Sequence, residues 1–271
     1  MILKQIIKIR GYSKMWTDEE LNGRINHTVD WLRERVTEAK AKGLVVGISG
    51  GVDSAVVAGL CSRAFPDHCM GVVMPSHSNP EDKEDALWIA DCFELRTLEV
   101  NLGDAHTQIM GQVKKDLEGQ GCILEGEKLS QGNLKARLRM STLYAVANAL
   151  NYLVVGTDNA PESYTGYFTK YGDGGVDLLP ISSLTKTEVR AWARMLGLPR
   201  RIANRVPTAG LWPGQTDESE LGLTYDLIDR YLLGEKVSPE VQERIETLHR
   251  QSEHKRHLPP SLELPKLQGL D

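Results

Sequence analysis

The chain lacks several features that mark common classes of protein. Its four cysteines form no CxxC pair, so a zinc site or a redox dithiol has little support, and we expect buried free thiols in a reducing compartment. No apolar run approaches the roughly 18 residues of a membrane span. The net charge of −5 gives no strong basic field for nucleic acid. These absences leave an ordinary globular protein.

The N-terminal stretch MILKQIIKIRGYSKMW shows no clear cleavage site after its short apolar core, so we expect no signal peptide and a cytoplasmic location. The 271 residues contain no internal repeat, low-complexity tract or strong linker. We therefore predict a single domain over 1–271 with a helical C-terminal part. The polar, proline-rich stretch after Arg250 is typical of a flexible tail.

Hydrophobic periodicity predicts helices that alternate with short apolar strands. This alternation is typical of an α/β fold: an open, mostly parallel sheet with helices on both faces. Residues 119–132 are glycine-rich and predict a surface loop, and 166–180 and 207–218 have little periodicity, which is typical of functional or mobile segments. The predicted helices are 18–42, 54–64, 81–93, 104–117 and 133–150, and the predicted strands are 44–48, 69–74, 96–100 and 152–156.

The stretch GISGGVDS, residues 47–54, follows the first predicted strand and opens a helix. Glycines and the N–H groups of a helix start make an anion site, although an ordinary strand–turn–helix junction would share these features. The lysine that ends the familiar GxxxxGK[ST] phosphate loop is missing. Asp53 would repel phosphate unless it holds Mg²⁺. We predict a nucleotide phosphate site formed by Gly47, Ile48, Ser49, Gly50, Gly51, Val52, Asp53 and Ser54.

This loop resembles the pyrophosphate loop of the N-type ATP pyrophosphatases, which include GMP, asparagine, argininosuccinate and NAD synthetases and tRNA thiolases. Later stretches are similar to NAD synthetases, and the resemblance covers residues 20–262. The motifs on which this resemblance depends are QGNLKARLRM, GTDNAPESYTGYFTKYGDGGVDLLP, PTAGLWPGQTDESELGLTYDLID and EHKRHLPPS. The resemblance implies a Rossmann-like, adenine nucleotide alpha hydrolase-like fold. It also implies ATP-dependent amidation of nicotinate adenine dinucleotide (deamido-NAD) with ammonia, through an acyl-adenylate, to NAD, AMP and pyrophosphate.

The resemblance assigns Glu162 with Asp53 to magnesium, and Lys186 to the ATP phosphates. Read alone, Glu162 could be a surface glutamate near a helix start, and Pro161 departs from the usual family residue. Lys186 could equally be a solvated lysine, because Thr185 and Glu188 have the spacing of a capping box. Further ATP contacts implied by the resemblance are Thr157 and Thr208, which are otherwise ordinary strand-end or turn threonines.

The residues that the resemblance assigns to deamido-NAD are Arg137, Lys170, Asp177, His254 and Lys255. Arg137 and Arg139 cannot share one helix face, and the match selects Arg137. His254 and Lys255 alone would be a solvated charge run, whereas the match predicts that the tail folds back over the site. The segments 166–180 and 205–218 are expected to act as lids that exclude water from the adenylate.

Ammonia must be neutral to attack the adenylate, and Asp173 is the candidate base that accepts a proton. About 43 residues precede the first predicted strand and none is cysteine, so we expect no glutaminase domain in this chain and free ammonia as the nitrogen donor. The resemblance also implies a homodimer with the dinucleotide at its interface. The apolar faces of helices 18–42 and 133–150 suit a dimer and core packing equally.

Two other functions compete with this interpretation. A tRNA thiolase would usually carry cysteine nucleophiles or a CxxC and a basic face, and none is seen. A non-catalytic nucleotide-binding regulator would be expected to lack Asp53, Glu162 or Lys186, and all three are present.

Overall fold

Four parallel strands form the centre of the molecule in a computed structural model that describes residues 16–123, 125–212 and 214–262. The strands lie in the order β3-β2-β1-β4, and every neighbouring pair is parallel. This confirms the predicted open parallel sheet. The strands are β1 (Gly43–Gly47), β2 (Cys69–Val73), β3 (Arg96–Glu99) and β4 (Tyr152–Val155).

Helices follow the strands and cover the sheet. The first five are α1 (Asp18–Glu38), α2 (Val52–Ala64), α3 (Pro80–Cys92), α4 (Gly103–Gly119) and α5 (Glu127–Leu150). The C-terminal part carries α6 (Ala160–Thr165), α7 (Lys186–Met195), α8 (Arg200–Ala203), α9 (Asp217–Leu221), α10 (Tyr225–Leu232), α11 (Pro239–Gln251) and a 3₁₀ turn at Glu253–Lys255.

Alternate residues of β1 point to opposite faces of the sheet, as the pleat requires. Leu44 and Val46 belong to a core that also contains the apolar faces of α1, α2 and α7. Val45 belongs to a second core on the other face, with Leu143 and Ala147 of α5. Helices therefore pack on both faces, as the alternating pattern predicts.

The predicted boundaries hold to within a few residues except at two helices. Helix α1 ends at Glu38 rather than near 42, and Gly43 instead opens β1. Helix α5 begins at Glu127, so the prediction of a loop through residue 132 is wrong for its last six positions. Its N-cap is Gly126 with a φ of 76° and no side-chain cap, so the usual sequence signal of a helix start is missing.

The C-terminal helices form a third apolar cluster, made of Leu221, Leu223, Ile228 and Ile245. After α11 the chain turns back onto α6, where Ser252 Oγ donates to the Thr165 carbonyl at 3.0 Å. The interpretations of residues 1–15 and of the tail beyond 262 lie outside the described residues.

All four cysteines are free thiols. Cys61 and Cys69 are buried as expected, whereas Cys92 and Cys122 are exposed, so the expectation of buried thiols is wrong for half of them. Among the described residues, no helix combines the length and the apolar character needed to cross a bilayer.

Candidate active site

The glycine loop lies between β1 and α2, at the carboxyl end of the central strand. Gly50 adopts a φ of +84°, and a Cβ there would lie 2.6 Å from the Asp82 carbonyl oxygen, so only glycine fits without displacing the backbone. Ser54 Oγ accepts from the Ser49 N–H at 3.2 Å and donates to the Gly51 carbonyl at 3.0 Å. These bonds shape the loop around the helix start, which is a favourable place for an anion.

Lys186 is the centre of the charged cluster beside this loop. Its Nζ lies 2.6 Å from Asp53 Oδ2 and 3.3 Å from Glu162 Oε1, and the residue is only 1% exposed. Burial alone would lower the pKa of Lys186, but the Asp53 and Glu162 carboxylates raise it well above its usual value. The lysine missing from the loop is therefore supplied from the first position of α7.

The two carboxylates are held by further polar groups. Asn159 Nδ2 donates to Asp53 Oδ1 at 2.9 Å, and its backbone N–H donates to Glu162 Oε2 at 3.1 Å. The Tyr225 hydroxyl lies 3.0 Å from Glu162 Oε1 and 2.9 Å from Asp217 Oδ2. Burial raises the pKa of Glu162 to about 7, against the opposing effect of Lys186. Asn159 and Tyr225 thus fix the positions of both acids.

The donor set fits Mg²⁺ bound together with phosphate. Asp53 and Glu162 both reach the same ammonium group, so their oxygens face one small region next to the phosphate loop. Mg²⁺ is commonly bound by one or two carboxylates plus substrate phosphates and water rather than by an all-protein cage. The described residues contain no cluster of three or more His, Cys, Asp or Glu side chains suited to a metal.

A cavity of about 420 Å³ opens above the cluster. It lies where strand order reverses, between β1 and β4, which is the usual ligand position in open α/β sheets. The phosphate loop lines it except at Gly50. Other predicted residues also line the cavity: Thr157, Glu162, Asp173, Lys186 and Thr208. Lys255, from the returning C-terminal segment, lines it too.

Lys255 reaches the cavity because its Nζ donates to the carbonyls of Gly166 at 2.8 Å and Phe168 at 2.7 Å. The adjacent His254 is exposed, and its carbonyl accepts from Lys170 Nζ at 2.5 Å. The predicted return of the C-terminal segment to the site is therefore seen for Lys255.

The other residues predicted for the dinucleotide lie outside this cavity. Arg137 is exposed, and its Nη2 lies 3.3 Å from the Lys170 carbonyl oxygen. Asp177 Oδ2 accepts from the Val154 N–H at 2.8 Å, which fastens the segment after α6 to β4. Arg139, the alternative to Arg137, lines the cavity with its Nε 3.3 Å from the Met74 carbonyl oxygen. Arg137 and Arg139 therefore lie on different faces of α5, as predicted. Of the two, Arg139 is the one that lines the cavity.

Several residues of the site were missed from the sequence. Asp158 and Asn159 lie in the turn after β4, behind Gly156 and Thr157, and polar residues at the carboxyl end of a parallel strand are a usable signal. Asp217 and Tyr225 carry no such local signal, because they come from the C-terminal helices and meet Glu162 only in the folded chain.

The model of the NAD synthase family matches residues 24–259. The NH(3)-dependent NAD(+) synthetase of Alkaliphilus oremlandii is 52% identical over 244 residues, which cover 90% of this chain and 98% of that protein. The NMN synthetase of Francisella tularensis is 36% identical with a TM-score of 0.84, covering 92% of this chain and all of the other.

The NAD+ synthetase of Burkholderia pseudomallei is 31% identical with a TM-score of 0.74, over 95% of this chain and 97% of that one. The likeness to these solved structures agrees with the predicted Rossmann-like, adenine nucleotide alpha hydrolase-like fold. Because the family model and a relative of 52% identity both match most of its length, this chain belongs to the NAD synthase family.

Proposed function

We propose that the chain is a ligase that amidates deamido-NAD with ammonia to NAD, using ATP and releasing AMP and pyrophosphate. The observation that carries this proposal is the meeting of the phosphate loop, Asp53, Glu162 and Lys186 at one cavity of a chain in the NAD synthase family. A cytoplasmic location is part of the same proposal.

The chain's own residues stabilise charge in the first half-reaction. The nicotinate carboxylate attacks the α-phosphorus of ATP, and negative charge grows on the leaving pyrophosphate. In this proposal, the helix-start N–H groups of the loop and the Lys186 ammonium stabilise that charge. Magnesium, when bound by Asp53 and Glu162, supplies a further positive charge next to the phosphates. Thr157 and Thr208 line the cavity where the nucleotide would lie.

A mononucleotide is the second candidate substrate. The observation that favours it is the similarity to the Francisella NMN synthetase, with its TM-score of 0.84. The cavity of about 420 Å³ also leaves Arg137, Asp177 and His254 outside, so an outer nucleotide half would lie beyond this cavity. Nicotinate mononucleotide carries the same reacting carboxylate as deamido-NAD and lacks that outer half.

One comparison tests both candidates. The purified chain is given ATP, Mg²⁺ and ammonium with either deamido-NAD or nicotinate mononucleotide, and amide product and AMP are quantified. We expect a higher kcat/KM for deamido-NAD, and equal amounts of AMP and NAD. A preference for the mononucleotide would assign the second function, and no AMP with either substrate would contradict both. Glutamine in place of ammonium is expected to give almost no product.

The outer position of the dinucleotide residues also suits a homodimer. Helix α4 exposes an apolar stripe at helical spacing, Ile109, Val113 and Leu117, each 36–44% exposed. The apolar face of α1, considered from the sequence as a contact surface, is instead buried in the core. We propose α4 as part of a dimer contact that brings a second chain's surface near the outer dinucleotide residues.

A further inference from the structure

Arg205 joins the phosphate loop to helix α3. Its Nη1 donates to the Gly50 carbonyl at 3.0 Å and to Asp85 Oδ2 at 3.1 Å, and its Nη2 pairs with Asp82 Oδ1. The side chain is 21% exposed, so water competes little for these bonds. Because the guanidinium donors form a rigid, planar fork, contacts to three acceptors fix both the position and the direction of the group.

Gly50 is shaped to receive this contact. A Cβ at Gly50 would lie 2.9 Å from Arg205 Nη1 and 3.1 Å from Asp85 Cβ, so a larger residue would push the guanidinium away. Gly50 is also the residue of the described loop that does not line the cavity, whereas its neighbours Ser49 and Gly51 do. Arg205 therefore holds the loop at a residue that does not face the space for the ligand.

The contact sets the direction of the next N–H group. The Gly50 carbonyl and the Gly51 N–H belong to one planar peptide and, in the usual trans form, point in opposite directions. Holding the carbonyl on Arg205 therefore turns the Gly51 N–H away from Arg205. Its nitrogen lies 3.3 Å from Ser49 Oγ, a long hydrogen bond that a stronger acceptor can replace. Gly51 is the N-cap of α2, where backbone N–H groups favour an anion.

A direct contact with phosphate is the alternative role, because Arg205 also lines the cavity. The observed geometry favours the indirect role. Both terminal nitrogens already donate to acceptors, and the Asp82 and Asp85 carboxylates compensate the guanidinium charge. Binding phosphate would require the guanidinium to leave at least one of these acceptors.

We propose that Arg205 is a positioning residue for pyrophosphate binding: it holds the Gly50 carbonyl so that the Gly51 N–H is presented to the pyrophosphate part of ATP. Asp82 and Asp85 in turn hold Arg205. The inference rests on the proposed ATP-dependent amidation and adds a role for Arg205 that the sequence motifs do not assign.

Equilibrium binding separates this role from a general effect on the fold. Isothermal titration with pyrophosphate in the presence of Mg²⁺ is compared with titration of AMP, which lacks the two outer phosphates. In Arg205→Met we expect the Kd for pyrophosphate to rise on the order of tenfold, because one directed N–H donor is lost. The Kd for AMP should change little. An unchanged Kd for pyrophosphate, or equal losses for both ligands, would overturn the proposal.

Asp85→Ala distinguishes positioning from direct contact by the sign of its effect. The change removes a negative charge near the loop together with one of the groups that hold Arg205. If Arg205 positions the loop, pyrophosphate should bind more weakly to this variant. Tighter binding would mean that the freed guanidinium attracts the phosphate directly, and unchanged binding would mean that the held geometry is not needed. Either result would contradict the positioning role.

Arg201→Met is the matched control. Arg201 Nη1 also lies close to Asp85, 3.4 Å from its Oδ1, but the side chain is 58% exposed and its guanidinium lies over the Trp88 ring rather than on the loop. We expect this variant to keep its Kd for pyrophosphate, and a loss as large as that of Arg205→Met would argue against the proposal. Circular dichroism checks folding, and Asp85→Ala carries the test if Arg205→Met does not fold. An unmodified chain that binds neither pyrophosphate nor ATP would instead contradict the proposed function.

Discussion

At the scale of single residues, Lys186 is bound to the two acids that are proposed to hold magnesium. With its Nζ between Asp53 and Glu162, it compensates two carboxylates that are largely shielded from water. Removing one partner of a buried ion pair typically costs about 3–5 kcal/mol, because the remaining charge is left uncompensated. We therefore expect Lys186 to contribute to the stability of the fold as well as to the proposed phosphate binding.

Lys186→Met should lower the free energy of unfolding by about 3 kcal/mol and abolish adenylation. Mg²⁺ should restore part of the stability, since it can compensate the same two carboxylates. Thermal unfolding with and without Mg²⁺ measures this, and the increase in Tm on adding Mg²⁺ should be larger for the variant than for the unmodified chain. Lys115→Met, at an exposed site of α4, is the control. An equal Mg²⁺ effect in all three proteins would contradict the shared site.

The acids themselves can be tested with near-isosteric changes. Asp53→Asn and Glu162→Gln each remove one proposed magnesium ligand, and we expect adenylation to fall by about 10²- to 10³-fold. The free energy of unfolding should change far less than in Lys186→Met. Each acid variant leaves Lys186 paired with the other carboxylate, so fewer charges are left uncompensated. Pyrophosphate release at varied Mg²⁺ is the measurement, with the exposed Glu84→Gln as control. Turnover of Asp53→Asn like that of the unmodified chain would refute the metal assignment.

At the scale of elements, residues 204–212 are held beside the cavity at two places. Arg205 pairs with Asp82 and Asp85 of α3 and donates to the Gly50 carbonyl at 3.0 Å. Farther along, the Leu211 carbonyl accepts from the buried Lys135 Nζ of α5 at 2.8 Å. The same region lies close to α5, since a Cβ at Gly132 would stand 2.9 Å from the Trp212 ring. These contacts hold the segment that the sequence predicts to be a lid.

Loss of one lid contact should let water reach the acyl-adenylate. In Lys135→Met the Leu211 carbonyl loses its donor, so we expect AMP to exceed NAD, whereas the unmodified enzyme is expected to form them in equal amounts. Parallel quantification of AMP and NAD in one reaction gives the ratio. Lys115→Met should keep it at one. A ratio of one in Lys135→Met as well would mean that this contact is not needed to exclude water.

At the scale of the whole molecule, the proposed dimer predicts a concentration-dependent assembly. Val113→Asp places a charge in the exposed apolar stripe of α4, so the dimer should dissociate and the KM for deamido-NAD should rise. Analytical ultracentrifugation measures the mass, and Gln108→Asp, at an exposed polar position of the same helix, is the control. A Val113→Asp protein with the assembly state of the unmodified chain would remove α4 from the contact.

Local signals in the sequence were enough for the sheet, most helices and the glycine loop. Apolar periodicity and the position of the loop after β1 depend only on neighbouring residues, and Thr185 forms the capping box predicted for α7. The start of α5 was misplaced because Gly126 is its cap and offers no side-chain signal.

The site itself depends on contacts across the folded chain. Lys186 and Asp53 are 133 positions apart, and no local pattern pairs them; the family resemblance named both residues, but their contact is seen only in the structure. The bridge of Tyr225 between Glu162 and Asp217 and the choice of Arg139 rather than Arg137 at the cavity both follow from packing. The physical reason is that burial, charge and hydrogen-bond partners are properties of the three-dimensional surroundings, which the neighbours in sequence do not specify.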